Sequence, residues 1–218
     1  MLTRFVDDQG RTAFEALAAD RKDLDEFLAF VARVSPATSP DLFPRRADVL
    51  AYHLNAYNAL AMRGVIDEGV TDGFASFFKR QMFFRFRKVT VGGRQMSLST
   101  YENDVIRPLR EPRVHFALNC MVRSCPRLPQ AAFSADGLEA QLEAAAREFL
   151  NDPRNVRVDA AAHEVWLSSI LDFYAEDFAA DGKRRSLIEY VNRYRDEPIA
   201  LGLTVKFIPY DWTLNRQP

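Results

Sequence analysis

A chain of 218 residues, 48% hydrophobic and 27% charged, has the length of one folded domain and an ordinary globular make-up, which excludes a disordered, collagen-like or disulfide-dense chain. With 29 basic residues against 30 acidic ones the net charge is −1, too little to draw the chain to nucleic acid or an anionic membrane. No window approaches 18 uncharged apolar residues, so no membrane span is expected. Met1–Gly10 lacks a signal-peptide pattern; a periplasmic or secreted location is the expectation if a leader has been removed.

From Thr12 to Val34 apolar residues recur at helical spacing, as one long or two short amphipathic helices stopped at Ser35-Pro36. The next helix spans about Arg46 to Asp67, with Val49, Leu50, Leu54, Tyr57, Ala61, Met62 and Val65 on its buried stripe. An Asp72-Gly73 turn and a short helix at Phe74–Phe78 follow. The period then changes: Met82–Val91 reads as a strand, Gly92-Gly93 as a two-residue hairpin turn and Arg94–Met96 as the return strand. Ser99 and Glu102 have capping-box spacing for a short helix ending before Pro108.

Val114–Asn119 is a strand-type run, and Cys120–Pro129 an irregular loop. Ala135–Leu150 is helical, Val156–Val158 and Val165–Leu167 form a hairpin, Ile170–Phe178 and Leu187–Tyr194 are helices, and Leu203–Ile208 is a late strand. Helices come first, at about residues 12–67, and hairpins mix with helices later. The expected class is α+β, an antiparallel sheet with surrounding helices, in a single domain over residues 1–218.

The stretch Arg113–Pro126 carries the most chemistry. In a regular strand His115, Ala117 and Asn119 share one face and Phe116, Leu118 and Cys120 the other. Cys120 then points into the core, while Cys125, beyond the strand, can fold back over His115. A thiol beside an imidazole is an activated nucleophile once a third group holds the ring. Glu102, Asn55, Asn58 and Asp104 are candidates for that group. Asn119 or main-chain N–H groups near Cys125 are candidates for an oxyanion hole.

Each of these residues also has a plainer reading. His115 reads as a hydrogen-bonded core residue, Glu102 as a helix cap, and Asn55 and Asn58 as partners of a neighbouring loop. Cys125 reads as a structural thiol or as the partner of Cys120. No Cys or His pair has zinc-ligand spacing, so neither metal nor cofactor is expected.

Five segments in order give a resemblance: Leu54-Asn55-Ala56-Tyr57-Asn58-Ala59, Ser97–Glu102, Pro112–Cys120, Ser124-Cys125-Pro126-Arg127-Leu128 and Tyr210–Asn215. Over about residues 45 to 215 the chain resembles the family called domain of unknown function 547, found in many bacteria and in plants. The resemblance implies a papain-like cysteine-peptidase fold, and it implies Glu102, His115 and Cys125 as a triad. Two positions depart from the family pattern: His53 stands where an aromatic is expected, and Asn103 where many relatives have His.

The leading expectation is therefore a cysteine-dependent hydrolase or acyl transferase acting on a small peptide-like or thiol-peptide substrate. Cys125 is the nucleophile, His115 the base and Glu102 its orienter, with Asn119, Asn55, Asn58, Arg113 and Arg123 binding the oxyanion or substrate. The rival is a non-catalytic module whose cleft, lined by Arg110, Arg113, Arg123 and Arg127, holds a carboxylate-bearing ligand or partner protein. The chain has 24 Arg against 5 Lys, and Arg grips carboxylates bidentately. A redox role for Cys120 and Cys125 ranks last, because their spacing is not Cys-x-x-Cys.

Overall fold

The helix Arg46–Asp67 is buried on nearly every side, which is why its sequence is apolar well beyond one stripe. Its N-terminus is closed by Asp48, whose carboxylate accepts the Arg45 N–H at 2.9 Å. Gly64 sits mid-helix because a Cβ there would lie 2.7 Å from the Phe83 ring. The computed structural model describes residues 1–69, 74, 76–179, 181 and 183–218. Two helices, Phe14–Ala19 and Lys22–Arg33, pack on the long one through Phe14, Leu17, Leu24 and Val31. Among the described residues no helix is long and apolar enough to cross a membrane.

The architecture is mixed α+β with two small sheets. Strands β1 (Lys88–Val91) and β2 (Arg94–Ser97) form an antiparallel hairpin, Val91 opposite Arg94. Gly92 and Gly93 both adopt positive φ, as a two-residue turn of this hand requires. Their N–H groups donate to the Val31 and Ala32 carbonyls at 2.9 and 2.6 Å, so the hairpin tip satisfies the end of the Lys22–Arg33 helix.

The second sheet has the order β3 (Val156–Asp159), β4 (Glu164–Ser168), β5 (Thr204–Ile208). β3 and β4 are antiparallel, as expected, but β4 and β5 run parallel, so the sheet is mixed rather than antiparallel. The chain between β4 and β5 is long enough to turn back, crossing through the helices Ile170–Phe173, Ala175–Phe178 and Arg184–Val191.

Several local expectations change. The Asp72-Gly73 turn lies outside the described residues, and the helix expected at Phe74–Phe78 runs over Phe77–Gln81. It continues as a π-helical turn, Met82–Phe86, so only the end of the expected Met82–Val91 strand is extended. The cap near residue 100 belongs to Ser97, whose hydroxyl accepts the Thr100 N–H at 3.0 Å. Glu102 is thereby not a cap; it lies in a second π-helical turn, Tyr101–Ile106.

The run Val114–Asn119 is not a strand. Pro112 starts a 3-10 turn, Pro112–Phe116, and Glu111 accepts the Arg113 N–H at its head. The Asn58 amide completes the arrangement, donating to the Ala117 carbonyl at 3.0 Å and accepting the Asn119 N–H at 2.8 Å. A polar side chain on the long helix thus takes hydrogen bonds that a neighbouring strand would have supplied.

Buried side chains form two clusters, one around the long helix and one between the β3–β5 sheet and its helices. The His115 turn joins them: Val114, Ala117 and Leu118 belong to the first, Phe116 to the second.

His53 is buried in the first cluster, its Nδ1 2.8 Å from the Tyr101 hydroxyl. Burial pushes its pKa down to about 4. The unfolded chain takes up a proton below about pH 6.5 while the folded one does not. Stability from this source therefore falls by about 2 kcal/mol between pH 7 and pH 5, and stops falling below about pH 4. His53→Gln cannot titrate and is expected to flatten that slope in chemical denaturation; equal slopes in the two proteins would contradict it.

Candidate functional site

The two clusters meet around a cleft of about 510 Å³ that contains Glu102, His115, Cys120 and Cys125. The long helix contributes Tyr57, and the second π-helical turn Glu102. The 3-10 turn brings His115, the loop after it both cysteines, and the C-terminal segment Tyr210 and Trp212. Phe77, Phe84 and Phe173 make its rim apolar; Phe77 and Phe173 are largely exposed. Among the described residues no group of three or more His, Cys, Asp or Glu is arranged to hold a metal ion.

His115 is held on two sides. Its Nε2 lies 2.7 Å from the Asp177 carboxylate, and its ring stacks on Tyr174 with centroids 3.9 Å apart. Asp177 also receives two bonds from Arg107, at 2.7 and 3.0 Å. Burial raises the Asp177 carboxyl, but the hydrogen bonds and charges of His115 and Arg107 outweigh it and hold the group well below the usual carboxylate range. Asn103 supports the clamp, accepting from Arg107 at 2.7 Å and donating to the Ser99 carbonyl at 2.8 Å.

Glu102 is buried, and its carboxylate accepts the Tyr57 hydroxyl at 2.9 Å. The Tyr174 hydroxyl also interacts with it. Burial, and then the nearby Glu102 charge, push the Tyr57, Tyr174 and Tyr210 phenols up, so all three remain donors at neutral pH.

Cys120 and Cys125 are bonded to each other, their Cα atoms 6.3 Å apart, within the usual span of a disulfide. The Cys120 N–H donates to the Cys125 sulfur at 3.0 Å, and the Tyr210 hydroxyl lies 3.4 and 3.3 Å from the two sulfurs. The alternation that turned Cys120 away from His115 fails because the run is not a strand; both cysteines face the cleft.

Other residues expected at the site lie elsewhere. Asn119 is buried and spends its amide on the loop, donating to the Pro126 carbonyl at 2.6 Å and accepting the Met121 N–H at 2.7 Å. Asn55 bonds the Phe133 backbone in both directions, at 2.8 and 3.0 Å, and Asn58 holds Ala117 and Asn119. Arg113 is paired with Glu111 and Glu139 away from the cleft. Arg110 lines a separate cavity, while Arg123 and Arg127 line another that also touches Cys125.

Asp177, Arg107, Tyr57 and Tyr174 were not picked out from the sequence as site residues. Tyr210 lies in a segment that carried the resemblance, and Tyr57 in another; Asp177 and Tyr174 lie in a helical stretch with no local signal of a site.

No curated protein and no solved structure matches the chain. The family model described as a protein of unknown function, DUF547, matches residues 43–150. That span holds the long helix, Glu102, His115 and both cysteines, and it ends before Tyr174, Asp177 and Tyr210. Over residues 43–150 the chain is thus similar to the DUF547 family.

Proposed function

We propose that the chain is a thiol-dependent acyl-transfer enzyme, a hydrolase or transferase of papain-like type, that works in its reduced state through Cys125 and His115. The observation that carries this reading is the commitment of His115 Nε2 to Asp177 in a cleft shared with Cys125. One imidazole nitrogen is fixed by a carboxylate, leaving Nδ1 to exchange a proton with a thiol. Asp177 is the orienting group in this scheme, and Glu102 adds a buried negative charge to the cleft, steadied by Tyr57.

Reduced, Cys125 passes its proton to His115 and attacks the carbonyl carbon of an amide or ester. His115 returns the proton to the leaving group, and water or an acceptor nucleophile releases the acyl group. The Cys120 N–H favours the Cys125 thiolate, and the Tyr210 hydroxyl, 3.3 Å from the Cys125 sulfur, is the donor this reading assigns to the oxyanion. The aromatic rim suits an apolar acyl or peptide side chain.

The test is the pH dependence of iodoacetamide alkylation at Cys125 in reduced protein, read by peptide mass spectrometry. An apparent pKa well below about 8.5 is expected, returning toward that value in His115→Ala. If Cys125 titrates as an ordinary thiol in both proteins, the reading fails and the cleft is better taken as a binding site. A second reading, dithiol–disulfide exchange, is favoured by the bonded sulfurs. It requires Cys120, whereas acyl transfer survives Cys120→Ser.

A further inference from the structure

A second cavity, of about 730 Å³, meets the first at one place: among the described residues Cys125 alone lines both, and Cys120 lines only the first. The C-terminal segment is the partition, with Tyr210 and Trp212 on the acyl-transfer cleft and Pro209 and Asp211 on the second cavity. Cys125 can therefore be reached from a cavity that Cys120 does not line, without entry to the cleft that holds His115. In-line attack on a disulfide sulfur needs an approach opposite to the leaving sulfur.

Among the described residues the second cavity has one arginine outside an ion pair, Arg123. Five arginines line it against three carboxylates, Glu148, Asp152 and Asp211. Four of the arginines are already paired, Arg127 with Glu148, Arg154 with Asp152, Arg11 with Asp7 and Arg216 with Glu15. Arg123, two residues from Cys125 and exposed, has no carboxylate of the described residues at ion-pair distance; Asp211 of the same lining feels its charge from farther off. A thiol carrying a carboxylate would be drawn here, its anionic group to Arg123 and its sulfur to Cys125.

We propose that this cavity is the docking site of a carboxylate-bearing low-molecular-weight thiol that opens the Cys120–Cys125 disulfide. The purpose of the step rests on the thiol reading above; the docking does not. The thiolate sulfur attacks Cys125 Sγ, and the Cys125–Cys120 bond breaks with its electron pair leaving on Cys120. The Tyr210 hydroxyl, already at hydrogen-bond distance from Cys120, steadies that thiolate. A second thiol attacks the small-molecule sulfur of the mixed disulfide and frees Cys125. Two thiols are oxidised to one small disulfide, and their hydrogens are balanced by the two cysteine thiols formed.

The experiment follows reduction of the full, oxidised chain by quenching with iodoacetamide and counting alkylated cysteines by mass. Thioglycolate, 2-mercaptoethanol and cysteamine are compared at equal thiolate concentration and low ionic strength. Thioglycolate is expected to react about tenfold faster than the neutral thiol and cysteamine more slowly, with the preference fading as salt rises. Arg123→Glu should reverse the order, and Arg123→Gln should bring the three rates together.

Rates that follow intrinsic thiol reactivity alone, or a charge preference that Arg123→Glu leaves unchanged, would overturn the proposal. So would alkylation of both cysteines before any reductant is added. Alkylation of fully reduced protein reports on the acyl-transfer reading separately, so either idea can fail without the other.

Discussion

Asp177→Asn is expected to lower the acyl transfer proposed for the reduced protein by about a thousandfold, while leaving the fold intact. The amide has the shape of the carboxylate and can still take a hydrogen bond from His115 Nε2, but it carries no charge to stabilise the imidazolium formed when Cys125 loses its proton. The apparent pKa of Cys125 should rise toward about 8.5 in the same protein. An Asp177→Asn variant with the wild-type alkylation profile would remove Asp177 from the mechanism. Stability gives an independent reading. Because the Asp177 carboxyl is held low in the folded state, its contribution is complete above about pH 4 and is lost as pH falls through the folded value. Wild type should therefore be more stable than the variant at neutral pH, and the gap should close below about pH 4.

Asn58→Leu is expected to cost about 3–5 kcal/mol of stability, the largest effect of any single change considered. The residue is buried, and its side chain makes both bonds that close the backbone between His115 and Cys120. A leucine of similar size leaves the Ala117 carbonyl and the Asn119 N–H buried without partners, and each orphan costs about 1–3 kcal/mol. Chemical denaturation measures it; a loss below about 1 kcal/mol would mean that water or a backbone shift replaces both bonds. The low Cys125 pKa proposed for the reduced protein should also be lost where the variant is still folded, because the loop bearing the thiol is no longer pinned to the long helix.

The readable parts of the chain were those whose determinants are local. The Arg46–Asp67 helix follows from its apolar spacing, and the β1–β2 hairpin from two adjacent glycines, whose positive φ other residues rarely adopt. The β3–β4 hairpin was legible from alternation. The parallel β4–β5 pair was not, since nothing in Thr204–Ile208 says which side of β4 it will join.

Cys125, His115 and Glu102, the three residues expected together from the sequence, line one cleft. The strand reading of Val114–Asn119 failed because Pro112 and the Glu111 cap, together with a distant asparagine, outweigh the apolar pattern. Asp177 stands 62 residues from His115, and only the packing of one cluster against the other brings them together.

That packing bears on how much of the chain is needed as a unit. The segment shared with the family, residues 43–150, contains the thiol, the imidazole and the buried glutamate, but not the carboxylate that fixes the imidazole or the phenol beside the sulfurs. Phe116, next to His115, packs its ring on Phe149 inside that segment but also on Phe178 beyond it. A polypeptide trimmed to the shared segment would carry a complete list of expected residues with its histidine unanchored. The boundaries of the recurring segment are thus not the boundaries of the working part, and relatives that keep the first while altering the stretch around Asp177 are where function should diverge.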